Sequence, residues 1–336
     1  MKESMPPAEW APQEAIWTCW PSAADLWQAD LDPAREQIAA MVRCLSRGTP
    51  RVCVVASGEV ARRDAKRRLG DVATIYEYPF GDIWLRDTGP ILIPHKNRWE
   101  ARRFSFNGWG GKYRLDGDEE IGAVIATEAG FELTRFPFVL EGGAVDWDGE
   151  GTLLTTRQCL LNPNRNAGWT QAQTEEALSA SLGADKILWL REGLRNDHTD
   201  GHVDNLARFV APGHVVCQAP FGDDDPNADI LLEIEQSLRE MSDARGRALR
   251  VTTLPSPGRI ADGTEEVQPA SHMNFLIAND VVVVPTYGSS STASALEVLQ
   301  AVFPTREVVG LPASAILSGG GAFHCITQQQ PALHAG

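Results

Sequence analysis

The sequence predicts a strand-rich fold of the α/β or α+β class, in which small groups of strands are separated by single helices. Short apolar runs of strand length recur along the chain, and segments of helical length lie between them. The strand groups number roughly five, without sustained sequence identity between them. No long linker rich in Pro, Gly or Ser interrupts the 336 residues, so we expect one domain over residues 1–336.

The first predicted elements lie in the N-terminal quarter of the chain. Arg51–Ser57 is an apolar run typical of a buried strand, and Val60–Leu69 is a basic segment typical of an exposed helix. Val72–Tyr78 is a second predicted strand. The same alternation of strand, helix and strand is predicted further along the chain, at Gly151–Thr156, Gln171–Leu182 and Lys186–Leu190.

The C-terminal half contains two predicted strand pairs. Leu206–Phe209 is expected to pair with Val215–Gln218. Asn274–Ile277 and Val281–Pro285 are expected to form a hairpin that turns at residues 278–280. The remaining predicted elements are the helices Ala228–Ala244 and Ser294–Val302 and the strands Leu249–Leu254 and Glu307–Leu311.

Composition and charge limit the classes of function. The net charge of −15 argues against nucleic-acid binding, which needs clustered Lys and Arg, and it is compatible with a cationic ligand or with solubility alone. No run of about 18 apolar residues is present, and Met1–Trp20 does not resemble a signal peptide, so we expect a cytoplasmic protein without a membrane partner. The six cysteines are irregularly spaced and predict neither a disulfide framework nor a zinc site. A homo-oligomer is compatible with the sequence.

Cys325 is the first candidate catalytic residue. It lies in SGGGAFHCITQQQ at 318–330, after three glycines and next to His324. A glycine-rich turn allows backbone N–H groups to point into a cleft, and such groups or a nearby imidazolium favour a thiolate nucleophile. An inert buried thiol is the alternative interpretation.

A second polar segment, NDHTDGHVDNLARF at 196–209, concentrates histidine and aspartate around Gly201. If this segment is extended, His202 and Asp204 point to one face, where they suit a general acid/base beside a group that binds a cation. Two alternatives remain open. His198 and His202 could be metal ligands, or the segment could be a polar turn whose side chains bond to the loop backbone.

Two further segments place acidic residues beside glycine at the ends of apolar strands. FGDIWLRDTGP at 80–90 contains Trp84 and Asp87, which suit a guanidinium because a carboxylate matches its parallel N–H donors and an aromatic face attracts cations. FVLEGGAVDWDGEGT at 138–152 contains Glu141, which could orient a catalytic histidine if it is buried. The simpler alternatives are an ion pair between Arg86 and Asp87 and a turn that exposes Glu141.

Together and in this order, the four segments resemble the agmatine deiminase family of the guanidine-modifying pentein superfamily. The resemblance covers nearly the whole chain, from Met5 to Pro331, and implies the pentein fold. This fold is a five-bladed α/β propeller with pseudo-fivefold symmetry and a central active site. Further segments that resemble the family are PAEWAPQEAIWTCWP at 7–21, FNGWGG at 106–111, TLLTTRQCLLNPNRN at 152–166, ASHMNFLIAN at 270–279 and CITQQQP at 325–331.

The resemblance implies catalytic roles for residues that match family motifs. Cys325 corresponds to the nucleophile, His202 to the general acid/base, and Glu141 to the residue that orients this histidine. The implied reaction is hydrolysis of agmatine to N-carbamoylputrescine and ammonia through a covalent amidino-cysteine intermediate. It requires no metal or organic cofactor, and its substrate is a small cationic guanidine.

The resemblance also implies the substrate-binding residues. Asp87 and Asp204 correspond to the carboxylates that hold the guanidinium, and Trp84 to an aromatic wall. Family members commonly read D-T-N-G-H-V-D-N around the catalytic histidine, whereas this sequence has His198 for the first Asp and Asp200 for the Asn. Because that first Asp belongs to the substrate-binding region, His198 and Asp200 are candidate substrate contacts.

Other departures and alternatives concern the substrate. Ala322 replaces the Asn of the family pattern G-G-N-x-H-C, and Glu9 and Trp20 are candidate contacts for the amine tail. The alternatives are deimination of another guanidine, such as peptidyl-arginine or another alkylguanidine, and a non-catalytic polyamine-binding protein. A metallohydrolase is a further alternative, with the ligand set His198, His202 and Asp204.

Overall fold

Five small β-sheets form the architecture, in agreement with the roughly five strand groups counted in the sequence, although the sequence predicted no strand of the sheet at residues 91–139. The computed structural model describes residues 5–95, 98–260 and 266–332. The strands in these ranges are β1 Gln13–Trp20, β2 Arg51–Ala56, β3 Thr74–Glu77, β4 Ile91–His95, β5 Arg98–Ser105, β6 Glu132–Val139, β7 Val145–Trp147, β8 Thr152–Thr156, β9 Lys186–Leu190, β10 Ala207–Ala211, β11 His214–Ala219, β12 Arg250–Pro255, β13 Leu276–Ile277, β14 Val281–Thr286, β15 Glu307–Pro312 and β16 Thr327–Pro331.

The longer helices are α1 Leu31–Leu45, α2 Glu59–Leu69, α3 Asp118–Glu128, α4 Gln171–Leu182, α5 Ala228–Glu240 and α6 Thr292–Val302. Shorter helical turns are Ala24–Trp27, Leu85–Thr88, Gly108–Gly111, Arg157–Leu160 and Ser314–Leu317, and the 3-10 turns are Gln28–Asp30, Gly142–Ala144 and Val203–Asn205. No helix in the described ranges has the length and apolar composition that crossing a bilayer requires.

One order of strands recurs in all five sheets. An antiparallel pair comes first, and a third strand then runs parallel to the second, with a long helix in the connection between the parallel strands. For example, β7 pairs antiparallel with β8, β8 pairs parallel with β9, and α4 lies between β8 and β9 in the chain. The sheet β16-β1-β2-β3 follows the same order and adds β3 as a further parallel strand after α2.

Apolar side chains fill the seams between neighbouring sheets and join the sheets into a ring. Successive residues of a strand point to opposite faces, so each middle strand can serve two seams. Leu153 of β8 belongs to the apolar cluster shared with β5, whereas the next residue, Leu154, belongs to the cluster shared with β11. Val215 and Val216 of β11 divide in the same way between the clusters shared with β8 and β14.

The ring closes where the last strand meets the first. β16 pairs antiparallel with β1, and in this register Gln328 lies opposite Trp17. The indole N–H of Trp17 donates to Gln330 Oε1 at 3.1 Å. Val283 of β14 shares an apolar cluster with Ile16 of β1, which seals the seam between the fifth sheet and this one. The five-bladed α/β arrangement implied by the family resemblance is confirmed.

Local sequence signals account for the elements that were predicted well. α4 and β9 have the predicted bounds, and a capping box at the start of α4 explains its sharp N-terminus. In this box Thr170 Oγ1 accepts from the backbone N–H of Gln173, and Gln173 Oε1 accepts from the backbone N–H of Thr170. The predicted hairpin is confirmed but shorter at its first strand, because only Leu276–Ile277 pairs with β14.

Each of the five connections from one sheet to the next delivers polar residues towards the same centre. Asp87 lies between β3 and β4, Glu141 between β6 and β7, and His202 between β9 and β10. Asn274 lies between β12 and β13, and Cys325 lies between β15 and β16. The ring therefore brings together residues that are far apart in the chain.

Adjacent leucines on α5 provide a matched test of the packing. Leu231 is 1% exposed within the cluster between the third and fourth sheets, whereas Leu232 is 54% exposed. Leu231→Ala is expected to lower the free energy of unfolding by about 2–5 kcal/mol, because it removes buried methyl groups and leaves a cavity. Leu232→Ala should change it by less than about 0.5 kcal/mol. Denaturant unfolding measures both, and equal effects of the two changes would contradict this packing.

Candidate active site

A cavity of about 410 Å³ opens at the centre of the ring. Cys325 and Asp87 line it, and the indole rings of Trp27, Trp84 and Trp109 form much of its wall. Towards the solvent it is lined by side chains that are largely exposed. These are Leu26, Tyr113 and His198.

The glycine run before Cys325 is needed for close approach. A Cβ at Gly321 would lie 3.0 Å from Cys325 Sγ and 2.7 Å from a ring carbon of Trp84, distances at which atoms overlap. At Gly319 a Cβ would lie 2.8 Å from the same indole and 2.9 Å from that of Trp27. The absence of side chains at these positions therefore lets the turn pack directly on the aromatic wall.

Asn274 holds Cys325 from the opposite side. Its Oδ1 accepts from the backbone N–H groups of His324 at 3.0 Å and Cys325 at 3.2 Å. The amide nitrogen of Asn274 must therefore be the group that faces Cys325 Sγ, at 2.9 Å, where it donates to sulfur. Burial, followed by the negative charges of Asp204 and Asp87, raises the pKa of the Cys325 thiol well above its ordinary value. The protonated thiol is therefore favoured in the free protein.

Asp87 is a buried carboxylate with neutral hydrogen-bond donors. Its Oδ1 accepts from the backbone N–H of Gly143 at 2.9 Å, and its Oδ2 accepts from the indole N–H of Trp109 at 2.9 Å. Burial raises its pKa well above the ordinary value, and the nearby charges of Asp204 and Glu141 raise it further. A cation bound beside Asp87 would reverse this effect.

Gly143 marks the point where the polar side chains converge. A Cβ at this position would lie 2.6 Å from His202 Nδ1, 2.9 Å from Asp87 Oδ1 and 3.1 Å from Asp204 Oδ2. His202 Nδ1 itself is 3.7 Å from Asp87 Oδ1. The glycine therefore leaves room for an imidazole between two carboxylates.

His202 is fully buried, and neither of its ring nitrogens has a hydrogen-bond partner among the described residues. Burial lowers its pKa to about 3, although the charge of Asp204 opposes this shift. Glu141 lies close to it, since ligand atoms of Glu141, Cys159 and His202 are all within 4.8 Å of one another. Glu141 Oε1 accepts from Arg165 Nε at 2.6 Å, and its Oε2 has no partner among the described residues. Glu141 is thus adjacent to His202 without a hydrogen bond to it.

Asp204 connects Cys325 to buried charges behind the cavity. Asp204 Oδ2 is 3.5 Å from Cys325 Sγ and 2.8 Å from His324 Nδ1. The other ring nitrogen of His324 is 2.9 Å from Glu9 Oε2, and Glu9 pairs with Arg208. Asp204 Oδ1 is buried and has no hydrogen-bond partner among the described residues.

The structure brings most of the predicted site residues to this centre. Cys325, Asp87 and Trp84 line the cavity, with Asp204, His202 and Glu141 packed against them. The stretch from His202 to Asp204 is not extended, because Asp204 is inside the 3-10 turn Val203–Asn205. That turn, together with Gly201 in a left-handed conformation, lets both side chains point inward.

The candidate substrate contacts outside this core divide into two groups. His198 lines the cavity near its opening, and its Nδ1 is 3.2 Å from the hydroxyl of Tyr113. Asp200 instead forms ion pairs with Lys112 at 2.6 Å and Arg165 at 2.8 Å, which hold the loop. Asp200 is therefore a structural residue of the loop and does not line the cavity.

Glu9 and Trp20 lie away from the cavity lining, contrary to their expected contact with an amine tail. Glu9 is buried between Arg208 and His324, and the indole of Trp20 donates to Asp64 Oδ2 at 3.1 Å. Both are structural in this arrangement.

Sequence reasoning assigned no role to three residues at the centre. Asn274 and Trp109 lie in segments that resemble the family, and His324 is adjacent to Cys325. The sequence therefore indicated that these segments matter, but it did not indicate what the three side chains contact. For Asn274, the available signal was a polar side chain at the start of the predicted strand Asn274–Ile277.

The metal-ligand set left open by the sequence is not the set that the structure gathers. Among the described residues, one group of three metal-binding types converges, Glu141, Cys159 and His202, and it includes neither His198 nor Asp204. All three members are buried.

Comparison with known proteins assigns the chain to a family. Residues 5–331 match the model of the Porphyromonas-type peptidyl-arginine deiminase family. The agmatine deiminase of Pseudomonas fluorescens (strain SBW25) is 38% identical over 98% of this chain and 95% of that protein. That of Pseudomonas aeruginosa (strain UCBPP-PA14) is 38% identical over 97% of this chain and 95% of that protein.

A solved structure agrees with these sequence relatives. The structure of the agmatine deiminase of Enterococcus faecalis superimposes with a TM-score of 0.92 at 34% identity, covering 98% of this chain and 96% of that chain. A family match over nearly the whole chain and this fold are sufficient for assignment. The chain belongs to the Porphyromonas-type peptidyl-arginine deiminase family, a group of hydrolases that act on the C–N bonds of guanidines.

Proposed function

We propose that this protein hydrolyses agmatine to N-carbamoylputrescine and ammonia, with Cys325 as the nucleophile. One observation carries the proposal. The Cys325 thiol lies against two buried carboxylates, Asp87 and Asp204, at the end of an aromatic-walled cavity. The sequence relatives named agmatine deiminase support this substrate.

Binding of the guanidinium supplies the charge that the free site lacks. Asp87 and Asp204 raise the pKa of the Cys325 thiol, after burial itself. A guanidinium held by these carboxylates offsets their negative charge, so the thiolate becomes accessible only when the substrate is present. The donor Asn274 Nδ2 then stabilises the thiolate.

The chemistry follows in two balanced steps. The sulfur of Cys325 attacks the guanidinium carbon, and the thiol proton passes through His202 to the departing nitrogen, which leaves as ammonia. Water then attacks the cationic amidino-cysteine while His202 accepts one proton of the water. The C–S bond breaks as His202 returns this proton to the sulfur, and the hydroxyl proton of the adduct is released to solvent, where it converts ammonia to ammonium. The products are the ureido compound and the restored thiol.

His202 suits this shuttle because it begins neutral. Burial lowers its pKa to about 3, so the imidazole of the free protein is neutral and has one ring nitrogen without a proton. The adjacent carboxylate of Glu141, which Arg165 holds in place, stabilises the imidazolium that forms during transfer. Glu141 therefore positions and stabilises the acid/base in this proposal.

The opening of the cavity favours a substrate with a cationic tail. Asp30 lines the cavity and has no hydrogen bond or ion pair to any described residue, so it can bind an ammonium. Asp82 lines it too, but its two oxygens accept from the indoles of Trp27 and Trp84 at 2.9 and 2.8 Å. Asp30 is therefore our candidate for binding the amine of agmatine.

Loss of the nucleophile gives the first test of this function. Cys325→Ala is expected to reduce ammonia release from agmatine by about 1,000-fold or more, because no covalent adduct can form. Cys44→Ala is the matched control, since Cys44 is buried on α1 and does not line the cavity. Calorimetric binding of agmatine without ammonia release by the wild type would favour the non-catalytic alternative. Turnover of arginine-containing peptides without turnover of agmatine would overturn the assigned substrate.

A pair of substrates tests the tail contact. Asp30→Asn is expected to raise KM for agmatine by about three- to tenfold, because a partly screened ion pair is lost. KM for butylguanidine, which has an uncharged tail, should not change. Asp25→Asn is the control, because Asp25 is an exposed acid in the adjacent helical turn Ala24–Trp27 and does not line the cavity. Equal effects of Asp30→Asn on both substrates would refute the tail assignment.

The raised pKa of Cys325 predicts a ligand-dependent thiolate. At about pH 8 the free protein should show no more ultraviolet thiolate absorbance than Cys325→Ala, because a raised pKa keeps the thiol protonated. Millimolar guanidinium chloride should increase the absorbance of the wild type alone. A thiolate that is already formed without a ligand would be the opposite result.

A further inference from the structure

Four buried side chains of alternating charge extend away from the cavity behind Cys325. Arg208 pairs with Glu9, Glu9 Oε2 is 2.9 Å from His324 Nε2, and His324 Nδ1 is 2.8 Å from Asp204 Oδ2. All four side chains are at most 7% exposed. Arg208 is the member of this series that lies farthest from the cavity, and its Nε also donates to Asp146 Oδ1 at 2.8 Å.

The geometry determines the protonation state of His324. An ionised carboxylate can only accept hydrogen bonds, so each ring nitrogen that contacts one must carry a proton. Burial opposes ionisation of Glu9, but Arg208 and His324 lower its pKa far below the ordinary value. Burial likewise opposes ionisation of Asp204, and the hydrogen bond from His324 lowers its pKa. With ionised carboxylates on both sides, both ring nitrogens of His324 are placed to donate hydrogen bonds.

We propose that His324 is a positively charged positioning residue that keeps Asp204 ionised and aims its free oxygen at the guanidinium of the substrate. The hydrogen bond from His324 occupies Asp204 Oδ2 and leaves Oδ1, which is buried without a partner among the described residues. Glu9 accepts from the other ring nitrogen of His324, and Arg208 pairs with Glu9. The kinetic part of this inference rests on the proposed deiminase function.

A compensating cation is needed here because the site concentrates negative charge. Asp87 and Asp204 are both buried near Cys325, and two carboxylates in such a setting cannot both ionise without compensation. Asp87 has only neutral donors, and its pKa is raised. The hydrogen bond from His324 distinguishes Asp204, whose pKa is lowered, from Asp87, whose pKa is raised. The titratable and charged groups that act on Asp204 are His324, Cys325, His202, Asp87, Asp197, Arg86 and Arg208.

A direct measurement uses the intact wild-type protein. With ¹⁵N-labelled histidine at about pH 8, ordinary histidines are neutral, and the low pKa of His202 keeps it neutral as well. We expect one imidazolium with protons on both ring nitrogens, which disappears in His324→Asn. If every histidine shows one unprotonated ring nitrogen at this pH, the proposal is overturned. The wild-type spectrum requires no enzymatic activity, and His324→Asn serves to assign the signal.

The kinetic measurement separates electrostatics from packing. Asparagine in His324→Asn can still donate a hydrogen bond but carries no charge, so the pKa of Asp204 should rise. The acidic limb of the kcat/KM profile for agmatine should move upward by about one pH unit or more, which lowers kcat/KM by about tenfold on that limb. KM should rise more than kcat falls, since Asp204 acts in binding. Glu9→Gln should move the limb in the same direction.

A second buried histidine gives the matched control. His272 is fully buried, but its ring contacts the neutral oxygens of Pro285 and Ser291. His272→Asn is expected to leave the position of the acidic limb unchanged. If His324→Asn lowers activity by the same factor at every pH, or if His272→Asn moves the limb equally, His324 is a packing residue. If the wild type lacks deiminase activity while the imidazolium is observed, the proposed function fails and the charge assignment stands.

Discussion

Pairing of the last strand with the first is the constraint on which the active site depends. β16 lies against β1, and Cys325 precedes β16 directly in the final connection. Arg86 then joins the two ends of the ring. Its backbone N–H donates to the Cys325 carbonyl at 3.0 Å, and its guanidinium donates to Gln328 and Gln329 at 2.7 Å. Asp87 directly follows Arg86 in the chain. The residue that bonds to the backbone of Cys325 therefore also fixes the position of the Asp87 carboxylate.

Removing so many ionisable groups from water is costly unless each has a partner, and the partners come from outside the cavity. Glu141 has Arg165, and Asp204 has His324 with Arg208 behind it. Asp87 differs, because neutral N–H groups bond to both of its oxygens. Asp87 thus has no cation among its hydrogen-bond donors, and it faces the cavity. In the proposed function a guanidinium supplies the missing charge.

Local sequence signals predicted some helices and strands well. Other elements depend on contacts that form only when the ring of sheets closes. α4 and β9 were predicted well because a capping box and an apolar run define them. The strands RWEARRFS of β5 and TQQQP of β16 were missed, since they carry charge or glutamine where an apolar pattern is expected. In β16 the glutamines are buried because Trp17, Arg86 and Pro90 satisfy them. The motifs indicated Cys325, His202 and the carboxylates, but the contacts of Asn274 and Glu9 exist only in the folded chain.

The closure of the ring also orders events during synthesis. The chain is made from its N-terminus, so β1 is made early and its antiparallel partner β16 is made near the end. Until then one edge of β1 has no strand beside it, and the connection that carries the sulfur does not exist. The residues that carry the carboxylates and the imidazole are all made before the thiol. The growing chain therefore has its binding groups before it has its reactive one, and reactivity is acquired in the same step that seals the fold.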